Sequence, residues 1–175
     1  MKQLLIISLT AICFGCHSNS SHEKSAAENP EIMEIEEREK NKESVRQFFT
    51  HLEEENIERF VEMFAEDGEQ INPYASGIFP EGAKGHDELL AYWNPVPENF
   101  DGMEFIIDEL LGTEDSKTVF VRYTGKIKLK EDAGFYENQY YSTFKFNDEG
   151  KITEYVEIFN PIVAAKAFGL TDSIQ

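Results

Sequence analysis

The C-terminal half of the chain alternates between apolar and polar side chains with the two-residue period of a β-strand. The alternation is clearest in residues 118–130, and it recurs in residues 103–111 and 138–146. In residues 118–130 one side of the strand has the apolar residues Val119, Val121, Tyr123, Ile127 and Leu129. Strands with one apolar face must be covered by another layer, so this pattern predicts a sheet packed against other elements.

The turn sequence Asn147–Gly150 predicts how the last two strands pair. Whether the loop has two or four residues, the predicted pairs are Phe146–Lys151, Phe144–Thr153, Ser142–Tyr155 and Tyr140–Glu157. Cross-strand partners share a face, so Glu157 should point to the same side as Tyr140. Tyr155 and Phe159 should share that inner side, and the reverse side should have Ile152, Glu154, Val156 and Ile158.

Helical spacing dominates the residues before the sheet. Apolar side chains recur first at Val45, Phe48, Phe49 and Leu52, and then at Ile57, Phe60, Val61 and Phe64. We expect a helix hairpin in which Asn56 caps the second helix and Gly68 closes it. Residues 36–43 are charged and should bury nothing, so packing should begin at Val45. A third short helix is predicted over Asp87–Trp93, and three helices before a long antiparallel sheet indicate an α+β fold.

The predicted reverse side of the sheet is also largely apolar, whereas a face in water should be polar. A second copy of the chain is the simplest cover, and we therefore expect a homodimer through the outer sheet face.

The N-terminus is typical of a bacterial export signal. Lys2 precedes an apolar run from Leu4 to Phe14, which is too short to span a bilayer, and Gly15-Cys16 follows. This end resembles a lipobox, although Cys13 and Phe14 depart from its usual residues. We predict a signal peptide over residues 1–15, with a lipid on Cys16 as the only membrane contact and a tether and charged helical extension over residues 16–42. The protein would then be a lipoprotein of the bacterial cell envelope, on the periplasmic or surface side; ordinary secretion and an uncleaved tether are the alternatives.

Charge and composition exclude several classes of function. A net charge of −18 repels nucleic acid and anionic lipid headgroups. Loss of Cys13 and lipidation of Cys16 would leave no thiol chemistry. The sequence has no ligand spacing typical of a metal site, no phosphate-binding glycine loop and no Ser-His-Asp set. We expect neither a metal nor a cofactor.

Several short motifs stand in the order and spacing of the nuclear transport factor 2-like superfamily. Residues 43–170 resemble its SnoaL-like members and, in the closing motif, the phenazine-biosynthesis PhzA/PhzB-like proteins, and residues 171–175 form a tail. The motifs are Phe64-Ala65-Glu66-Asp67-Gly68, Gly85-His86-Asp87-Glu88-Leu89-Leu90, Tyr136-Glu137-Asn138, Phe144-Lys145-Phe146 with Asp148 and Gly150-Lys151-Ile152, and Glu157-Ile158-Phe159-Asn160-Pro161.

The resemblance implies a cone-shaped, curved antiparallel sheet wrapped around three N-terminal helices, a cystatin-like half barrel that is usually dimeric. It also implies cofactor-free isomerisation, ring closure, dehydration or condensation of small carbonyl compounds, or ligand binding alone. The residue that matches Glu157 is the acid–base group of PhzA/PhzB-like enzymes. Tyr92 stands at or near the position of their pocket histidine, so their specific reaction is not carried over.

The residues themselves favour the same site. In an apolar cone, burial would raise the pKa of Glu157 toward neutrality, and Tyr140, Asn138 and Tyr155 could donate hydrogen bonds to an enolate-like oxygen. An aromatic slot could be lined by Tyr92, Trp93, Tyr123, Phe144 and Phe159.

Each of these groups could instead have a purely structural role. Glu157 could lie at the rim of the sheet, the tyrosines and Asn138 could form hydrogen bonds with buried polar groups, and the aromatic rings could belong to the hydrophobic core. We expect a lipid-anchored domain that binds a small apolar or carbonyl-bearing molecule, with Glu157 as the catalytic candidate. The alternative is a non-catalytic ligand-binding, dimerisation or protein-interaction module.

Overall fold

The computed structural model describes residues 29–173, so the predicted signal peptide, Cys16 and most of the tether lie outside the described residues. The helices are α1 (Pro30–Glu53), α2 (Ile57–Glu62), α3 (Gly85–Trp93), α4 (Val96–Asn99) and α5 (Pro161–Ala167), with short 3₁₀ turns at Lys130–Asp132 and Thr171–Ser173. The strands are β1 (Phe64–Ile71), β2 (Gly82–Lys84), β3 (Phe100–Gly112), β4 (Thr118–Leu129), β5 (Phe135–Phe146) and β6 (Ile152–Ile158).

The predicted α+β class is confirmed. A curved, unclosed sheet of six strands in the order β2-β1-β6-β5-β4-β3 packs against the N-terminal helices. The predicted antiparallel sheet contains one parallel pair, because β1 pairs with β6 in the parallel direction. The chain reaches β1 from the helix hairpin and does not return directly from a neighbouring strand, so the antiparallel geometry of a tight hairpin is not imposed there.

Helix α1 begins with Asn29 as its cap and Pro30 in its first turn. The start of its packing was predicted one turn too late. Asn41 is buried and donates a 3.0 Å hydrogen bond to the carbonyl of Ser116, and Arg38 donates one of 2.9 Å to the carbonyl of Thr113. Both acceptors lie in the turn between β3 and β4, so the charged part of α1 contacts the sheet through polar side chains.

Helix α2 is shorter than predicted. Asn56 does cap it, accepting a hydrogen bond from the backbone N–H of Arg59, but the helix ends at Glu62. Phe64 is instead the first residue of β1 and pairs with Ile152. Strand pairing therefore overrides the helical spacing of Phe64, and Gly68 lies inside β1 rather than closing the helix.

The predicted register between β5 and β6 is wrong by two residues. Ser142, and not Tyr140, lies opposite Glu157, and Phe144 lies opposite Tyr155. A shift of two residues preserves the face of every side chain, so Tyr155 and Glu157 still point to the inner side. A bulge at Thr153 turns the side chain of Ile152, the first residue of β6, to the inner face. Ile152 is therefore fully buried in the core, although the sequence predicted it on the reverse side.

Aromatic rings fill one half of the inner side, which we call the packed half. The ring of Phe48 lies 4.6 Å from that of Phe60 and 4.9 Å from that of Phe144, measured between centroids. The other members are Phe64, Phe146, Val119, Val121 and Ile152, all at most 4% exposed. Helices α1 and α2 thus close this half of the sheet.

Within residues 29–173 no helix is both long enough and apolar enough to cross a bilayer.

Candidate functional site

A cavity of about 150 Å³ lies on the inner side of the sheet, beyond the packed half, in what we call the cavity half. Its walls are mainly apolar, with Leu52, Met103 and Ile127 among them. Phe168 lines it and is 36% exposed, so this ring lies where the cavity meets solvent. Phe79 and Phe100 contact Phe168, with centroids 6.4 and 6.0 Å away. A cavity of this volume accommodates roughly one aromatic ring.

Among the described residues that line this cavity, Glu157 has the only charged side chain. Two tyrosines donate hydrogen bonds to it. Its Oε1 accepts a 2.7 Å hydrogen bond from the hydroxyl of Tyr155 and one of 3.1 Å from the hydroxyl of Tyr123. The two hydroxyl oxygens lie 2.9 Å apart. Both tyrosines are 1% exposed, whereas Glu157 is half-buried and lines the cavity. The two buried tyrosines therefore hold the carboxylate in place, and the carboxylate faces the cavity.

Burial raises the pKa of Glu157 above its ordinary value, and the hydrogen bonds from Tyr155 and Tyr123 partly oppose this by stabilising the anion. Burial also raises the pKa of both tyrosines well above the usual range, so their hydroxyls stay protonated as donors. A carboxyl group whose pKa is raised is a stronger base when it is ionised, so it is better suited to accept a proton from a bound ligand.

A second polar group on the cavity wall consists of Tyr136 and Tyr140. Their hydroxyl oxygens are 2.9 Å apart, and Asn138 donates a 2.8 Å hydrogen bond to the hydroxyl of Tyr136. Asn138 also donates to the backbone carbonyl of Asn160 at 3.0 Å, while the side chain of Asn160 caps α5. Asn138 thus positions Tyr136 and links β5 to the short connection between β6 and α5.

On the opposite wall, Tyr92 and Trp93 come from the end of α3. The indole N–H of Trp93 donates a 2.8 Å hydrogen bond to Gln70, and the hydroxyl of Tyr92 accepts one of 3.0 Å from Asn72. Both ring systems line the cavity. Burial and the nearby charge of Glu157 raise the pKa of Tyr92 to about 12.

The structure brings together most of the residues that the sequence singled out. Those that line the cavity are Glu157, Tyr140, Tyr92, Trp93, Tyr123 and Phe159. Tyr155 and Asn138 do not line the cavity. Tyr155 donates a hydrogen bond to Glu157, and Asn138 donates one to Tyr136. Phe144 lies in the packed half, where its ring stacks on Tyr155 at 4.5 Å and does not line the cavity.

Sequence reasoning missed three groups of site residues. Tyr136 was visible in the β5 alternation, two residues before Asn138, and could have been found. Gln70 and Asn72 lie in a short segment whose polar inward residues gave no periodic signal, and Phe79 and Phe168 lie outside the strands. These last four depend on loop and helix positions that only packing defines.

Within the part of the chain that the structure describes, no cluster of three or more His, Cys, Asp or Glu side chains could hold a metal ion. His86 is occupied elsewhere, since its Nε2 lies 3.1 Å from the carbonyl oxygen of Phe64.

The SnoaL-like domain model matches residues 45–155 of the chain, which is more than half of it. The chain belongs to the SnoaL-like family. It is 26% identical over 137 residues to the uncharacterised protein YesE of Bacillus subtilis, a match that covers 78% of this chain and 92% of YesE.

Two solved structures share both fold and sequence with this SnoaL-like chain. One is a Bacillus subtilis protein named as a candidate isomerase, with a TM-score of 0.70 and 26% identity over 77% of this chain and 96% of that one. The other is a phenazine biosynthesis-related protein from Pseudomonas aeruginosa, with a TM-score of 0.67 and 25% identity over 79% of this chain and 91% of that one. These likenesses confirm the predicted nuclear transport factor 2-like, PhzA/PhzB-like fold.

Proposed function

We propose that this SnoaL-like domain binds a small apolar, carbonyl-bearing or aromatic molecule in its cavity and performs cofactor-free acid–base chemistry on it through Glu157. One observation supports this above all. A single charged side chain, that of Glu157, lines an otherwise apolar cavity of about 150 Å³ within the described residues, and two buried tyrosines fix its orientation. Such a desolvated carboxylate is a strong base toward a carbon acid that binds beside it.

The chemistry follows from what surrounds the carboxylate. Ionised Glu157 removes a proton from a carbon next to a carbonyl, and negative charge develops on the carbonyl oxygen. A hydroxyl donor in the cavity wall stabilises that oxygen, and the wall offers Tyr92 and the Tyr136–Tyr140 pair for this role. Return of the proton to a different carbon completes an isomerisation, and attack by the enolate on a second group gives ring closure or condensation. The relatives named for isomerisation and phenazine biosynthesis agree with this class.

The base can be tested without knowing the natural substrate, using 5-nitrobenzisoxazole. A base removes the proton from the C–H carbon of the isoxazole ring, the electron pair forms a nitrile, the N–O bond breaks, and the ring opens to a single coloured product that carries both the nitrile and the phenoxide. We expect turnover that rises with pH as Glu157 ionises, and Glu157→Gln should lower kcat/KM by about a hundredfold or more. The matched control is Glu154→Gln, three residues earlier, which pairs with Lys145 instead of lining the cavity.

Equal rates for Glu157→Gln and the wild-type protein would reject Glu157 as the base. The alternative is a binding module in which Glu157 only orients the ligand. It has its own support, because both tyrosine hydrogen bonds stabilise the carboxylate as a fixed anion. That alternative predicts that the natural ligand, recovered from cell extract by affinity capture, is released chemically unchanged by both proteins.

We further propose a homodimer through the outer sheet face. Exposed apolar residues lie on β3, β5 and β6: Ile106 is 49% exposed, Leu111 48%, Tyr141 42% and Ile158 36%. Exposed apolar area of this kind on one face of a domain is typical of an interface. Light scattering after gel filtration should give twice the chain mass, and Ile158→Lys should give the monomer mass. A wild-type monomer at high concentration would contradict the dimer.

Lipid anchoring at Cys16 and a place in the bacterial cell envelope also remain our proposals, supported by the sequence of residues 1–16. Full-length protein expressed in a bacterial host should incorporate radiolabelled palmitate and fractionate with membranes. Cys16→Ser should abolish both, and Cys13→Ser should change neither. Label in the Cys16→Ser protein would contradict lipidation at this residue.

A further inference from the structure

We propose that Tyr92 is the hydrogen-bond donor to the ligand's oxygen, and that Asn72 and Gln70 are positioning residues that direct its hydroxyl proton into the cavity. This inference rests on the proposed function, because it concerns the ligand of the same cavity. It begins from three buried polar side chains and the half-buried Tyr92 on the wall formed by β1 and α3. Gln70 and Asn72 are each 2% exposed and Trp93 is 8% exposed.

These side chains form a continuous series of hydrogen bonds. The indole nitrogen of Trp93 is 2.8 Å from Oε1 of Gln70, and Nε2 of Gln70 is 3.2 Å from Oδ1 of Asn72. Nδ2 of Asn72 is 3.0 Å from the hydroxyl of Tyr92 and 3.0 Å from the carbonyl oxygen of Pro80.

The direction of the series is fixed at both ends. An indole N–H can only donate, so Gln70 must present its oxygen to Trp93 and its amide N–H groups to Asn72. Asn72 therefore accepts through its oxygen and donates through its nitrogen. The carbonyl of Pro80 can only accept, which requires the same orientation of Asn72. Neither amide can be reversed without breaking a buried hydrogen bond.

It follows that the oxygen of the Tyr92 hydroxyl accepts a hydrogen bond from the Asn72 amide, which leaves the hydroxyl proton to be donated to another acceptor. No described residue of the chain, from 29 to 173, accepts a hydrogen bond from it. Since its pKa is raised to about 12, the hydroxyl is protonated at neutral pH. Because Tyr92 lines the cavity, an acceptor atom of the ligand is the remaining partner for this proton.

The strand register places this donor beside the carboxylate. Gln70 and Ile71 on β1 pair with Tyr155 and Val156 on β6, so Asn72 comes next to the level of Glu157. The charge of Glu157 also contributes to the raised pKa of Tyr92. A proton acceptor and a hydrogen-bond donor thus face one small cavity together. This pair suits an uncharged ligand with a carbonyl oxygen, and it disfavours carboxylates and phosphates, which Glu157 repels.

Two ring-sized probes of matched shape test the inference: acetophenone, which has a carbonyl oxygen, and ethylbenzene, which lacks one. Tyr92→Phe should weaken acetophenone binding about fivefold, the effect of one neutral hydrogen bond, and leave ethylbenzene binding unchanged. The infrared C=O stretch of isotope-labelled acetophenone should lie at lower frequency in the wild-type protein than in Tyr92→Phe. Tyr74→Phe, in an exposed loop outside the cavity lining, is the control and should change none of these values.

Asn72→Asp tests the positioning role while keeping the phenol. The carboxylate introduced there accepts from Tyr92, so the hydroxyl turns away from the cavity and the C=O stretch should return to its value in Tyr92→Phe. An unchanged stretch in both variants, equal losses for the two probes, or no acetophenone binding by the wild-type protein would overturn the inference. Glu157→Gln should keep the frequency shift, so failure of the proposed base and failure of the Tyr92 donor are separate results.

Discussion

The packed half and the cavity half of the domain are built from the same inward-facing rows of β4, β5 and β6, yet they differ in polarity. The packed half takes Val119, Val121, Phe144 and Phe146 from these rows, and the rings of α1 and α2 fill the space in front of them. The cavity half takes Tyr123, Tyr136, Tyr140 and Glu157, with the cavity in front of them.

The difference shows how one sheet separates stability from function. Where the rings of α1 and α2 fill the space in front of the sheet, apolar side chains interdigitate and contribute hydrophobic free energy. In front of the cavity half, buried hydroxyls instead donate hydrogen bonds to one carboxyl, as Tyr123 and Tyr155 do to Glu157. Burial of Glu157 raises its pKa, which costs stability whenever the group is ionised. The cavity half should therefore be a place where activity is gained at the expense of stability.

Phe144→Ala should give the largest effect and should act on stability. The ring is fully buried against Phe48 and Tyr155, so its removal should lower the free energy of unfolding by about 3–5 kcal/mol. Urea unfolding measures this, with Phe135→Ala as control, since Phe135 lies on the same strand and is 60% exposed. The control should change stability by at most about 0.5 kcal/mol. Similar losses in the two variants would remove the basis for a distinct packed half.

Glu157→Gln should act on stability in the opposite direction. The folded-state pKa of Glu157 is raised, so below the unfolded-state pKa the group is protonated in both states and costs nothing. As pH rises through the folded-state pKa, ionisation of the buried carboxyl destabilises the wild-type protein. The free energy of unfolding of the variant should thus increase relative to that of the wild-type protein as pH rises, by about 1.4 kcal/mol for each pH unit between the two pKa values.

Unfolding curves from pH 4 to pH 8 provide the measurement for this comparison. Glu154→Gln, on the outer face, should shift stability by no more than about 1 kcal/mol. A Glu157→Gln protein that loses stability relative to wild type as pH rises would contradict the assignment of Glu157 to a desolvated site.

Tyr155→Phe and Tyr123→Phe should sharpen the account of the cavity half. Each removes a donor that stabilises the Glu157 anion, so each should raise the pKa of Glu157 further. The loss of the 2.7 Å bond from Tyr155 should raise this pKa more than the loss of the 3.1 Å bond from Tyr123. The pH dependence of 5-nitrobenzisoxazole deprotonation reports both changes. A lowered pKa in either variant would mean that the hydrogen bond favours the neutral carboxyl.

Ser142→Ala should have the smallest effect. Ser142 lies opposite Glu157 at the boundary between the two halves, and its buried hydroxyl makes no hydrogen bond of ordinary geometry, although it lies near Tyr123 and Tyr155. Its removal should change the free energy of unfolding by no more than about 0.5 kcal/mol. The comparison is Ser116→Ala, which removes a hydrogen bond to Glu37 and should cost about 1 kcal/mol. A larger cost at Ser142 would indicate that its hydroxyl supports the tyrosine pair.

Local pattern predicted most of the fold because each part of it repeats a simple period. The two-residue alternation located β3, β4 and β5, and the helical spacing of Val45, Phe48 and Leu52 located α1. The same alternation placed Glu157 on the inner side despite a register error of two residues, since that error does not change the face of a side chain.

The failures occur where contacts distant in sequence decide the conformation. Phe64 continues a helical spacing, but its pairing with Ile152 makes it a strand residue. No local pattern in the sequence indicates the bulge at Thr153, which turns the side chain of Ile152 into the core. The hydrogen bonds of Gln70 and Asn72 depend on α3 lying against β1, which no local pattern encodes.

Apart from Ile152 at the bulge, the sequence by itself determined which residues of β4, β5 and β6 face inward, because side-chain direction in a strand follows from a period of two and survives a slip by two. Only the tertiary structure decided which inward residues are core and which line a cavity. That outcome depends on where α1 and α2 end relative to the sheet: their rings reach Phe144 but leave about 150 Å³ in front of Tyr140 and Glu157. Packing across the molecule, and not the order of residues along a strand, thus made Phe144 a core residue and Glu157 a site residue.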